Sequence, residues 1–208
     1  MNFEKGQLYH IYNQGNNSQK IFFERKNYLF FLRKIRTYIL PYADFFAWCL
    51  LPNHFHLMVL VNEVEVNVGG SDSEGFASSE TLALSSAKRI RTLNQSIGVL
   101  LRSYTSAINK QQKRTGSLFR KQTKAECISC INGVTPSFYS TKGIARIKIS
   151  NPELQYPQIC FDYIHQNPVK AGLVKKAIDW EFSSAQDFYG KREGSMVNKQ
   201  RAIQYIDY

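Results

Sequence analysis

Residues 43–61 read ADFFAWCLLPNHFHLMVLV. Two strand-like apolar runs, 43–51 and 54–61, flank the short LPN segment. That pattern predicts two antiparallel strands joined by a tight hairpin. Within the second run, strict alternation places His54 and His56 on one face and Phe55 on the other. Two of the four histidines in the chain fall in this tripeptide. Their flanks are strongly apolar, so two polar rings here need a reason. A shared divalent ion is one, because neutral imidazoles two residues apart on a strand can reach a single metal. Structural histidines satisfied by the fold are the other.

Outward from the hairpin, residues 7–14 (QLYHIYNQ) alternate and are rich in aromatics, which predicts a strand ending at Gly15. Leu29, Leu32, Ile35, Ile39 and Leu40 recur at helical spacing, predicting a helix over 25–40 stopped by Pro41. Gly, Ser and acidic residues dominate 62–80, which reads as an inserted loop. A helix is predicted over 82–113. Its apolar stripe includes Leu93, Ile97, Leu100, Tyr104 and Ile108, and its polar face carries Lys88, Arg89, Arg91, Arg102 and Arg114. A strand follows at 117–127, then an aperiodic second insertion at 128–156. Residues 157–167 (PQICFDYIHQN) predict a helix with Pro157 in its first turn and Pro168 as its stop. A last helical candidate covers 198–207.

The order strand, helix, strand, strand, helix, strand, helix predicts an α+β fold. It is the ferredoxin-like (βαββαβ) antiparallel sheet with helices on one face, followed by a C-terminal helix. The whole of 1–208 reads as one domain carrying the insertions at 62–80 and 128–156. Many unrelated activities use this order, so the site must decide function.

Composition narrows the partners. With 43% hydrophobic residues, global disorder is excluded. The 27 Lys+Arg against 16 Asp+Glu give a formal charge of +11. That excess points to a polyanion, because each phosphate neutralised releases counterions. No stretch is long and apolar enough for a membrane helix, and Glu4 and Lys5 break any N-terminal apolar run. The expectation is a cytoplasmic protein with no membrane partner. Cys127 and Cys130 form a lone CxxC without a second ligand pair, so two unrelated thiols are expected rather than a zinc site.

Tyr163 and Asn167 lie four apart and share a face of the predicted helix. An asparagine oxygen there could be a third metal ligand. The metal would then polarise a phosphate beside the tyrosine, whose hydroxyl is a poor nucleophile at its resting pKa of about 10. Taken alone, Tyr163 is one of 12 tyrosines and reads by default as a core or surface aromatic. Asn53 beside His54 reads as a turn residue first, with orienting a ligand ring as the alternative. His165, two positions from Tyr163, is expected on the helix surface or against a ligand rather than on a metal.

Four landmarks change the weighting: LPNHFHLMV, RTGSLFR, YIHQNPVKAGLV and WEFSSAQDFYG, in this order. Together they resemble the REP-associated tyrosine transposases, relatives of the single-tyrosine HUH transposases of bacterial insertion sequences. The likeness reaches from about residue 7 to residue 190. It implies Tyr163 as nucleophile, His54 and His56 as metal ligands, and Asn167 as the polar metal-side residue. The third ligand in sister families is often glutamine, and both insertions look longer than compact members need.

The implied activity nicks and rejoins single-stranded DNA with Mg²⁺ or Mn²⁺, through a 5′-phosphotyrosine. No nucleotide cofactor is expected, since the ester bond is conserved and no GxxxxGK[ST] loop is present. The DNA would carry a hairpin whose backbone meets Lys88, Arg89, Arg91 and Arg102, with Arg114, Arg120, Lys121 and Lys124 as further phosphate contacts. Relatives work as dimers, so a homodimer is expected. Three alternatives stay open here: a non-catalytic or domesticated nucleic-acid binder on the same fold, a metal-dependent phosphodiesterase using water, and an initiator or relaxase relative. Tyr104 is a rival nucleophile, though its place on the apolar stripe favours core packing.

Overall fold

The computed structural model describes residues 1–68, 89–130 and 152–208. β1 (Leu8–Gln14) leads into α1 (Arg25–Tyr38), and β2 (Ala43–Leu51) and β3 (His54–Val61) form the hairpin turned by Pro52 and Asn53. β4 (Glu65–Val68) and β5 (Arg89–Thr92) pair as a separate two-stranded ribbon. α2 (Leu93–Gln111), β6 (Lys124–Cys127) and α3 (Pro152–Lys170) follow, then the short α4 (Ala185–Phe188) and α5 (Lys199–Ala202). The main sheet is antiparallel with order β2-β3-β1-β6. This is the ferredoxin-like arrangement expected from the element order.

Period-two alternation gives the sheet two unlike apolar faces. Ile11, Phe45, Phe55, Leu57 and Val59 pack with Phe31 and Ile35 of α1 and Leu100 and Tyr104 of α2. On the other face Leu8, Cys49, Leu51 and Met58 meet Cys160, Phe161 and Ile164 of α3. Each large apolar side chain buried this way stabilises the fold by about 1.5–3 kcal/mol. The register of β3 is therefore strongly specified. A slip of one residue would drive both histidines into the α1–α2 core and turn Phe55 and Leu57 toward α3.

Several boundaries differ from expectation, each for a local reason. Residues 89–92 are strand, not helix, because the alternating Arg-Ile-Arg-Thr pairs with β4 inside the expected 62–80 loop. Thr92 and Gln95 then form a capping box: Thr92 Oγ1 accepts from Gln95 N at 3.1 Å, and Gln95 Oε1 accepts from Thr92 N at 3.0 Å. The expected strand 117–127 is cut to 124–127, with Phe119 keeping one bridge to Gly15. Asn13 holds the intervening chain by donating to Arg120 O and to Thr123 Oγ1. Pro168 does not stop α3. The stop is Gly172, at φ 68°, with Gly172 N bonded to Val169 O and Leu173 N to Pro168 O, both at 2.9 Å. Cys127 and Cys130 are not independent thiols but are joined in a disulfide. The remainder of both expected insertions, 69–80 and 131–151, lies outside the described residues.

Candidate active site

The histidine face of β3 is covered by α3, which brings His54, His56, Tyr163 and Asn167 together. His56 is only 5% exposed, and both its nitrogens are engaged. Asn167 Nδ2 lies 3.1 Å from His56 Nε2, and His10 Nε2 lies 2.9 Å from His56 Nδ1. With Asn167 donating, a neutral His56 carries its proton on Nδ1 and donates it to His10. His54 Nδ1 sits 2.6 Å from Asn53 Oδ1, so Asn53 both makes the turn and fixes a ring. Asn167, 8% exposed, also acts on the ionisation of His54 and of Tyr163. One amide thus ties the strand pair to the helical tyrosine.

Tyr163 meets the edge of His56, with ring centroids 5.4 Å apart and planes at 83°. His10 lies 6.1 Å away in a similar edge-on contact. About two turns further along α3, the Lys170 ammonium sits 5.3 Å from the Tyr163 ring centroid. Next to this group, Tyr12 donates its hydroxyl to Glu126 Oε1 at 2.7 Å, and Glu126 stands opposite His10 across the β1–β6 ladder.

Burial dominates the electrostatics. It pushes His10 down to about 3. It lowers His56 well below the usual imidazole value, helped by His10 and His54, and lowers His54 against the hydrogen bond with Asn167. All three rings are therefore neutral near pH 7, the form that binds metal. Burial also raises Tyr163 above its ordinary value, while the Asn167 hydrogen bond opposes that rise. Tyr163 rests as a neutral phenol.

The donor set fits a divalent cation. The two imidazoles have their Nδ1 atoms fixed by Asn53 and His10, so a metal would meet their Nε2 atoms, of which His56 Nε2 now faces the Asn167 amide. Turning the Asn167 amide about its last bond exchanges nitrogen for oxygen at the same place. No three His, Cys, Asp or Glu among the described residues are placed to hold a metal, so the set depends on the Asn167 amide. Two imidazole nitrogens and an oxygen suit Mg²⁺ or Mn²⁺.

The expected phosphate contacts do not all converge. Arg102, Arg114, Arg120 and Lys121 line one groove of about 1100 Å³ between α2 and the segment after it. Lys124 stands opposite Tyr12, itself opposite His56, and so lies on the active-site face. Arg89 and Arg91 belong to β5 rather than to a helix face, and Arg91 packs over the Tyr38 ring. Lys88 lies outside the described residues.

Two other readings are settled by geometry. Tyr104 is 0% exposed, donates to Ile21 O at 2.8 Å and is pushed far up by burial, so it is a core residue. His165 is neither on the helix surface nor at a ligand. It is 2% exposed, under Phe161 and Phe188, and bonds Ser184 Oγ at 2.7 Å. The reason is that the chain after α3 folds back over that side of the helix.

His10, Glu126 and Lys170 were missed. His10 had a usable signal: it alternates with Leu8 and Tyr12, and the βαββαβ order makes β1 the neighbour of β3. Glu126 and Lys170 had none beyond sharing a face with it or with Tyr163.

No protein-family model matches the chain, and no curated protein matches it by sequence. Among solved structures it is similar to that of a REP-associated tyrosine transposase bound to a REP hairpin. The TM-score is 0.53 at 16% identity, covering 95% of this chain and 92% of that one. At this identity the likeness is one of fold, and the solved protein is of the kind that the four sequence landmarks resemble. No helix among the described residues is long and apolar enough to cross a membrane.

Proposed function

We propose that the chain nicks and rejoins single-stranded DNA, as a single-tyrosine transposase of the HUH type. The observation that carries this reading is Asn167, whose amide hydrogen-bonds with His56 at 3.1 Å and acts on the ionisation of both His54 and Tyr163. Packing alone gives no reason for one buried amide to join a His-x-His strand to a helical tyrosine. His54, His56 and Asn167 would hold Mg²⁺ or Mn²⁺, which supplies Lewis-acid polarisation of the scissile phosphate.

The residues of the chain do the rest. Tyr163 Oη attacks phosphorus, forming the tyrosyl O–P bond as the P–O3′ bond breaks. The phenol gives up one proton and the departing 3′ oxygen takes up one, so the step is balanced. The 5′-phosphotyrosine keeps the ester, and a 3′-hydroxyl can later attack it and release Tyr163 without a nucleotide cofactor. Asn167 holds the phenol in place, and the Lys170 ammonium adds positive charge beside it. His10 holds His56 in one tautomer.

For the DNA, the groove lined by Arg102, Arg114, Arg120 and Lys121 suits the backbone of a hairpin, the element bound in the similar solved structure. Lys124 then lies between that groove and Tyr163.

Labelled single-stranded DNA from the flanks of its own gene, incubated with Mn²⁺ or Mg²⁺, tests the reading. Scission should stop with chelator and fall by roughly 10²–10³-fold in His56→Ala and in Asn167→Ala. Scission that persists in both variants would remove these residues from the chemistry.

A further inference from the structure

A second cavity, of about 510 Å³, lies on the other side of the sheet from Tyr163. Its floor is Trp48 of β2, which belongs to the α1–α2 face. Leu29 and Leu32 of α1 form one wall with Arg33 and Arg36, and Met196 faces them from the chain after α4. Trp48 is 3% exposed, and its indole N–H finds no acceptor among the described residues.

The charge of the cavity is one-sided. Lys26, Arg33, Arg36 and Arg192 line it against the single carboxylate of Asp187. Asp187 is already taken, gripping Arg192 through two bonds of 2.6 and 2.8 Å. Lys26 pairs with Glu24 at 3.0 Å. Arg33 and Arg36 are exposed and have no carboxylate partner among the described residues.

An occupant must therefore combine a flat apolar body with adjacent negative charge. A nucleotide has both: a base with apolar faces, between two phosphates. The volume also falls within the range of small-ligand pockets. An acidic peptide offers the charge without the flat body. We propose that this cavity seats one nucleotide of a single DNA strand. Its base lies on Leu29, Leu32 and Met196, and its phosphates lie against Arg33 and Arg36. This rests on the reading that the chain binds DNA, but not on strand scission.

The test is photocrosslinking of the full-length chain to oligothymidylate carrying a single iodouracil, with free iodouracil mononucleotide as a parallel arm. Crosslinks from the oligomer are expected on peptides containing Leu29, Trp48 or Met196. The double substitution Arg33→Gln with Arg36→Gln, both at exposed positions, should weaken oligomer binding about tenfold at low salt. It should also reduce the salt slope of binding by roughly 1.4, the share of two single-strand phosphates. Crosslinks only at other peptides, crosslinks with the mononucleotide alone, or an unchanged salt slope would overturn the assignment. If Arg120→Gln with Lys121→Gln lowers the slope while the α1 pair does not, DNA binding stands and this cavity is not part of it. If the oligomer does not bind at all, both readings fall together.

Discussion

His10 lies 46 positions before His56 in the chain, yet their ring nitrogens are 2.9 Å apart. A ring held through one nitrogen presents the other in a fixed direction, and loss of such a partner typically costs 10–100-fold in metal affinity. His10→Ala should therefore weaken Mn²⁺ binding by about that factor in calorimetric titration. His10→Gln, whose amide oxygen can accept from His56 Nδ1, should recover part of it. Equal affinity in all three proteins would make His10 a packing residue only. His165 yields a separate prediction, because burial holds it down to about 3 against 6.5 when free. Between those values the unfolded chain binds a proton that the folded chain refuses. The stability concerned is present above pH 6.5 and is lost as pH falls toward 3. His165→Gln should flatten that acid limb by up to about 1.4 kcal/mol per pH unit, read from urea midpoints across the range. A limb as steep as in the wild type would contradict the assignment.

At the scale of elements, short-range patterns carried most of the fold. The alternation in 43–61 specifies both strands and puts His54 and His56 on one face, and the apolar stripe from Leu93 to Ile108 specifies most of α2. What was missed depends on contacts between segments remote in sequence. Residues 89–92 become strand only because 65–68 lie beside them. His165 is buried only because the chain around Ser184 returns over α3. Pro168 looked like a stop, but α3 runs past it to Lys170 and Gly172 completes the terminus. The true start of α2 was legible in Thr92-Leu-Asn-Gln95, a capping box that the longer basic run obscured. Thr92→Ala should lower stability by about 1 kcal/mol in chemical denaturation. No loss would mean that packing of Leu93 and Ile97, rather than the cap, sets where α2 begins.

Over the whole molecule, the sheet separates two sets of tasks. One face carries His54, His56 and their neighbours under α3, and the other is the large core under α1 and α2. The net charge of +11 is spread rather than pooled. Part of it lies in the groove after α2, part on β5, and part along α1. That distribution suits a substrate that passes several surfaces, as a strand attached to a hairpin would. Everything catalytic in the proposal nevertheless converges on a single hydroxyl. The most direct test is a denaturing gel of the chain after incubation with labelled single-stranded flank DNA and Mn²⁺. It compares wild type with Tyr163→Phe and Tyr104→Phe. The account predicts a heat-stable protein–DNA adduct that forms in wild type and in Tyr104→Phe and is absent from Tyr163→Phe. Strand scission that continues without any adduct in Tyr163→Phe would contradict it and point to water as the nucleophile.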